Sequence, residues 1–428
     1  MVSVLGLQSF QPSSAPPRLD GGIYSVAVIG LGMVGSAACR HLSSGSLSVV
    51  GIGPSEPLDW KSHTEIFASH YDQGRITRIV DRDTVWSKLA ARSINSYEQI
   101  EKESGISFHG KVGSLRVSPF YGQEADSLAK SLQVGTDNGA CTELINGGDA
   151  LKFKFPYLQF KSEEVGAMEY GGAGYINPRE TVKAQLEAAQ RRGVSILREL
   201  VTKIEPFSDG VRIFTNGESM ILAKKVLICT EAYTNFILPG RKLDLRTQAV
   251  SILLAEIASD EQRRLQGMPS FIWRLDAHPF LHSVYGCPPV VYPDGKTYVK
   301  IGGTAWEPRY VSNREEFLHW FHSDGAKDET EALLDVLTTL LPGLSIKSLA
   351  TKPCVVSYTA HGYPYIDSLD DEQLDEARIF VAVGGCGASA KSSDEIARMA
   401  CLLVENGKWS YDLDAALFKA VFLDETET

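Results

Sequence analysis

Several residues in this chain have types and spacings suited to chemistry. Gly30-Leu31-Gly32-Met33-Val34-Gly35 is a G-x-G-x-x-G run. Its first glycine permits a tight turn, its second lets a pyrophosphate reach the backbone, and its third lets a helix pack on a strand. A second glycine turn, Gly384-Gly385-Cys386-Gly387, precedes Lys391, where backbone amides suit a flat cofactor edge or an anion. Lys391 either pairs with a substrate carboxylate there or solvates a helix start. Lys300 lies between Val299 and Ile301 in an apolar run. Burying it is costly without a partner or a task, although strand alternation also allows it to face outward. Arg75 and Arg78 carry planar forks that match a carboxylate bidentately, although taken alone they read first as a surface salt-bridged pair.

These groups need elements to hold them. Tyr24 to Ile29 is a β-branched run fit for a buried parallel strand, a small-residue helix follows the glycines, and residues 47–52 form a second such strand. The acid that usually ends this second strand and holds a ribose is missing. Val50-Gly51-Ile52-Gly53 stands there instead, which leaves Glu56 or Ser55 for the task. Helices are expected over 84–104 with Asp83 as N-cap, 181–192 stopped by Gly193, 328–341, and 386–405. A buried strand is expected over 224–230, and 245–304 is rich in strands. Dinucleotide-type βα units at both ends of a strand-rich block predict an α/β (α+β, two-domain) protein. In it a Rossmann-like domain (23–110, 165–240, 351–428) interleaves with an antiparallel, strand-rich substrate domain (111–164, 241–350), after a flexible leader over 1–22.

Composition narrows the class. The chain has 428 residues, 43% hydrophobic and 22% charged, with a net charge of −11 and 38 glycines. That balance suits a globular protein and argues against nucleic-acid or anionic-membrane partners. Seven cysteines, never in a CxxC pair, argue against a disulfide framework and a structural zinc site, so no metal is expected. No signal-peptide pattern and no long apolar span are evident. A cytoplasmic protein, monomeric or weakly oligomeric, is the expectation.

The order and spacing of five motifs resemble the flavin-dependent amine oxidases of the sarcosine oxidase type, within the D-amino acid oxidase superfamily. The motifs are the 30–35 loop; Ser69-His70 through Arg75 to Arg78; Val299-Lys300-Ile301-Gly302; the path from Pro342-Gly343 through Cys354 to Ile366-Asp367; and the glycine turn before Lys391. The resemblance implies FAD as cofactor, with Gly30, Gly32, Met33, Val34 and Gly35 at its pyrophosphate. Ile204 is implied at the adenine end, and Gly385, Gly387 and Lys391 at the second turn. Ser69, His70 and Arg75 are implied beside the isoalloxazine, with Arg75 stabilising negative charge. Arg78 and Lys391 are implied as a clamp on a substrate carboxylate. Lys300 is implied beside flavin N5, where it promotes reaction with oxygen, and Cys354 as the covalent attachment of FAD. A match shifted onto Tyr358 instead puts Val356 at the cysteine position and leaves FAD non-covalent.

Departures from the family concern the pocket. Thr304 stands where a histidine is frequent, the segment from Tyr285 to Lys300 is longer, and Thr230-Glu231-Ala232-Tyr233 replaces Gly-Ala-Trp. Tyr285 and Thr304 are accordingly expected at the substrate. The resemblance implies an FAD-dependent oxidase of a carboxylate-bearing secondary amine or imino acid, with O2 reduced to hydrogen peroxide. The alternative is a flavin dehydrogenase, or a biosynthetic desaturase of a cyclic amine, that passes electrons to another acceptor.

Overall fold

The computed structural model describes residues 22–275, 277–370 and 377–423; the leader expected over 1–22 lies, apart from Gly22, outside them. β1 (Tyr24–Ile29) leads through α1 (Met33–Leu42) to β2 (Val49–Ile52), and the two strands pair in parallel. β1 also pairs in parallel with Met220–Ile228, and β2 with Ser195–Leu197. Ile379–Val383 adds to the end of Met220–Ile228, again in parallel. Such strands are covered on both faces, which is why they are runs of Val, Ile and Ala without alternation. One face packs under α1, Pro178–Arg191 and Ser389–Asn406 through Val26, Val28, Ala37, Leu186 and Ile396. The opposite face buries Ala27, Ile29, Val50, Ile213 and Ile228.

The second sheet has nine strands among the described residues; near one edge Leu245–Ile257 pairs antiparallel with Thr297–Ala305 and Ile346–Thr359. In that register Leu254 faces Lys300 and Val250 faces Cys354. One strand between them therefore fixes the spacing of Lys300 and Cys354. The domain divisions expected at 164/165 and 350/351 fall at the start of Glu164–Glu169 and within Ile346–Thr359. Both strands hydrogen-bond in the second sheet. A small third sheet joins β3 (Arg75–Thr77) to Gly174–Ile176.

The long helices fall close to their expected places. α2 (Thr84–Ser104) is capped by Asp83, whose carboxylate accepts the Trp86 N–H at 2.9 Å. The helix expected from 181 begins at Pro178, because Asn177 caps it and proline suits the first turn. The helix expected from 386 begins at Ser389. Gly384, Cys386 and Gly387 have φ of +85°, +48° and +74°, which no helix start can use.

Candidate active site

The first glycine loop is closed at two positions and open at one. A Cβ on Gly30 would lie 2.7 Å from the Cys229 carbonyl oxygen, and one on Gly35 would lie 1.8 Å from the Gly30 carbonyl oxygen. A Cβ on Gly32 would meet nothing nearer than His70 Nδ1, at 3.8 Å. Gly32 is also the N-cap of α1 and has no side chain to occupy the first-turn amides of Met33, Val34 and Gly35. The loop is thus tight behind and open in front, with free donors at a helix start; it fits the pyrophosphate of FAD.

The segment 69–75 crosses from this loop to the second sheet. Ser69 donates to the Val355 carbonyl at 3.1 Å, and its own carbonyl accepts from Arg75 Nη2 at 2.7 Å. His70 packs edge-on against Tyr71. Burial pushes its imidazole down to about 3, helped by Arg179, Arg198, Arg75 and Lys352, so it is neutral at pH 7. Lys300 does not face outward: it is 2% exposed. Its Nζ donates at 2.6 Å to Asp72 Oδ2 and at 2.6 Å to the Gly74 carbonyl. Asp72, also buried, is ion-paired with Arg75 as well and accepts from Tyr292 Oη at 2.9 Å. Burial, then Arg75, push the Lys300 ammonium below the usual lysine range, and the Asp72 carboxylate in contact opposes them by favouring its charged form.

Cys354 lies 3.8 Å from Arg75 Nη2. It lines a cavity with Trp60, Ser69, Asp72, Arg75 and Lys352. Along its strand residues 352, 354, 356 and 358 are half-buried while 353, 355, 357 and 359 are buried. Cys354 and Val356 therefore share one face. Val356 and Tyr358 lie by Gly387, and Cys354 lies by Arg75. Lys352, unforeseen, donates to the Tyr71 carbonyl and sits 4.7 Å from the centre of the Trp60 ring. Its place two residues before Cys354 on a strand was the available signal.

Arg78 and Lys391 come together, but around a carboxylate of the protein. Both reach Asp81 Oδ2 at 3.2 Å, and Lys391 also donates to the Trp86 carbonyl at 3.4 Å. Burial raises the Asp81 carboxyl, yet Lys391 and Arg78 outweigh it and hold it well below the usual range. Arg78 uses Nη1 alone, for Asp81 and the Val80 carbonyl; its Nε and Nη2 donate to nothing among the described residues. Lys300, Gly302 and Thr304 share a strand face, with Tyr285 paired to Gly302. A Cβ on Gly302 would lie 2.6 Å from Tyr285 Oη, so this glycine makes room for the phenol.

The second turn is half-occupied. Glu231, itself at φ +47°, accepts the N–H of Gly384 at 3.0 Å and of Gly385 at 3.3 Å. The Gly385 amide is therefore engaged within the protein, while Gly387 stays exposed. The side chain of Ile204 belongs to the core of the first sheet with Val211 and Ile213; the structure does not bring it to the groups above. Glu56 is held bidentately by Arg179, at 2.7 and 2.6 Å, whereas Ser55 is exposed. Arg179 Nη1 is buried without a partner among the described residues. No group of three or more His, Cys, Asp or Glu among the described residues could hold a metal ion. No helix among them is long and apolar enough to cross a membrane.

A mixed sheet with a parallel core and an open phosphate-type loop, joined to a largely antiparallel sheet bearing a buried lysine, is the architecture of a dinucleotide-dependent oxidoreductase. The chain matches the DAO family, FAD dependent oxidoreductase, over residues 25–403 and belongs to it. It is an FAD-dependent enzyme. It is 28% identical over 342 residues to monomeric sarcosine oxidase of Streptomyces avermitilis, covering 78% of this chain and 82% of that one. It is 23% identical over 398 residues to N-methyl-L-tryptophan oxidase of Yersinia pestis, covering 92% and 98%. Among solved structures it is similar in fold to NikD, an amino acid oxidase of nikkomycin biosynthesis. The TM-score there is 0.75 at 16% identity, with 93% and 98% of the chains covered.

Proposed function

We propose that the protein oxidises a secondary amine or imino acid that bears a carboxylate, with molecular oxygen as the acceptor. FAD, when bound, supplies the two-electron acceptor. The CH–NH unit loses two electrons and two protons to become an imine, which water splits into a carbonyl compound and an amine. The same two electrons and two protons convert O2 to H2O2.

The observation that carries this reading is Lys300, a lysine buried in the second sheet and held in a charged cluster with Asp72 and Arg75. A fixed positive charge in a water-poor site is what developing negative charge on oxygen calls for. The free Nε and Nη2 donors of Arg78 support a substrate carboxylate on the open side of the Arg78–Asp81–Lys391 cluster. Tyr285 and Thr304 line the same strand face as Lys300 and would touch the amine substituent. The names of the relatives, sarcosine oxidase and N-methyl-L-tryptophan oxidase, favour N-methyl amino acids as the first compounds to try.

The test is oxygen uptake with peroxide detection over sarcosine, N-methyl-L-tryptophan, proline, pipecolate and glycated amino acids. Stoichiometric peroxide from one of them is expected. Bleaching of the flavin by an amine with electrons reaching only a dye would overturn the oxidase reading. Absence of bleaching by every amine would overturn the substrate class.

A further inference from the structure

We infer that Asp72 is the positioning residue of Lys300, keeping its ammonium charged and leaving one N–H without an acceptor among the described residues. The inference rests on the oxidase reading only for what that N–H meets. An ammonium has three donors. Asp72 Oδ2 and the Gly74 carbonyl each take one at 2.6 Å, and the third has no acceptor among the described residues. The carboxylate is in turn fixed from two further sides, by Arg75 and by Tyr292 Oη at 2.9 Å. Lys300 and Asp72 side chains are each 3% exposed, so neither can turn to bulk water for solvation.

The titratable and charged groups around Lys300 come from each element packed on it. The segment 72–75 contributes Asp72 and Arg75. The strand Leu281–Val291 and the turn after it contribute Tyr285, Cys287 and Tyr292, and Ile346–Thr359 contributes Cys354. Its pairing neighbour on Leu245–Ile257 is the apolar Leu254. Asp72 is the one carboxylate in this set. Remove its charge, and burial and Arg75 act on the ammonium with only Cys287 and Cys354, the smaller effects, against them. Lys300 then loses its proton at lower pH.

The holoenzyme tests this in four forms: unchanged, Asp72→Asn, Lys300→Met and the double variant. Each is photoreduced, and its reaction with oxygen is followed against pH. Sulfite affinity, read from loss of flavin absorbance, gives a second measure that involves no turnover. The unchanged enzyme is expected to keep its oxygen rate up to at least about pH 8.5, since an opposed carboxylate favours the charged lysine. Asp72→Asn should lose about tenfold or more between about pH 6 and pH 8, as a lysine with a lowered pKa does. Lys300→Met should be slow and flat with pH, and adding Asp72→Asn to it should change sulfite affinity by less than about twofold.

An Asp72→Asn profile coinciding with that of the unchanged enzyme overturns the inference, as does an equal effect of Asp72→Asn in the Lys300→Met background. If Asp72→Asn does not fold, the unchanged enzyme still decides: an oxygen rate that falls with a midpoint near pH 7 means that Asp72 does not hold the lysine charged. Failure of the oxidase reading is separable, because there Lys300→Met leaves the oxygen reaction unaltered while sulfite affinity still reports whether Asp72 acts through Lys300.

Discussion

Cys354 and Lys300 sit on different strands and are linked by a chain of contacts through Arg75 and Asp72. Arg75 reaches Cys354 Sγ at 3.8 Å and shares Asp72 with Lys300. The Cys354 thiol lines the cavity beside Ser69 and Lys352, while Val356 and Tyr358 lie by Gly387. This geometry favours attachment of FAD at Cys354 over the shifted match to Tyr358. Acid precipitation of the holoenzyme is expected to leave the yellow colour in the protein pellet, and Cys354→Ser to release it to the supernatant. Colour that leaves the unchanged protein completely refutes the bond. In the sequence Glu231 stands out only as a departure from the family, and nothing marks the roles of Asp72 and Asp81. Each carboxylate has a partner far off in sequence: Lys300, Lys391 and the Gly384 amide. Local pattern says nothing about pairs closed by tertiary contact. The cations were legible because apolar flanks or glycine neighbours mark a lysine; their counterions were not.

At the scale of elements, periodicity and turn chemistry carried most of the fold. The strand–loop–helix–strand unit at 24–52, α2 with its Asp83 cap, and the antiparallel block after 245 follow directly from residue pattern. The divisions expected at 164/165 and 350/351 fall on strands of the second sheet: Glu164–Glu169 is buried at every position, which erases alternation, and Ile346–Thr359 is assigned by its long-range pairing with Leu245–Ile257, which local pattern does not show. The glycine loop yields a paired prediction. Gly35→Val drives its Cβ into the Gly30 carbonyl, and overpacking of this kind costs about 1–3 kcal/mol. Thermal stability should therefore fall even without FAD. Gly32→Ala meets only His70 Nδ1 at 3.8 Å, so the flavin-free chain should melt unchanged. The added methyl stands where the pyrophosphate approaches, and FAD affinity, measured by quenching of flavin fluorescence, should drop about tenfold or more, roughly one good hydrogen bond to a charged group. Equal melting losses in both variants would contradict this reading of the loop.

The molecule as a whole is closed by contacts between its two ends. Asp394, on the helix Ser389–Asn406, accepts from Arg40 of α1 at 2.8 Å, from Ser96 of α2 at 2.7 Å and from Gln185 of Pro178–Arg191 at 2.9 Å. His41 adds a contact at 3.3 Å. The three helices on one face of the first sheet and α2, which packs on them, thus meet at one buried carboxylate, and the two that flank the glycine turns are joined across 354 positions of sequence. Burial raises the Asp394 carboxyl, but His41, Arg40 and Ser96 more than offset it, so it stays well below its ordinary value. A carboxyl with a depressed folded pKa contributes stability above its unfolded pKa of about 3.9, and that contribution is lost as pH falls toward the folded value. Asp394→Asn leaves Arg40 buried without its counter-charge, and breaking such a pair from one side costs about 3–5 kcal/mol. Denaturant unfolding at pH 7 should therefore show the variant destabilised by that order. Below about pH 4 the unchanged protein loses stability and the gap between the two narrows. A gap that is constant from pH 7 to pH 3 would mean that the carboxylate's charge does not hold these helices together, and that shape alone does.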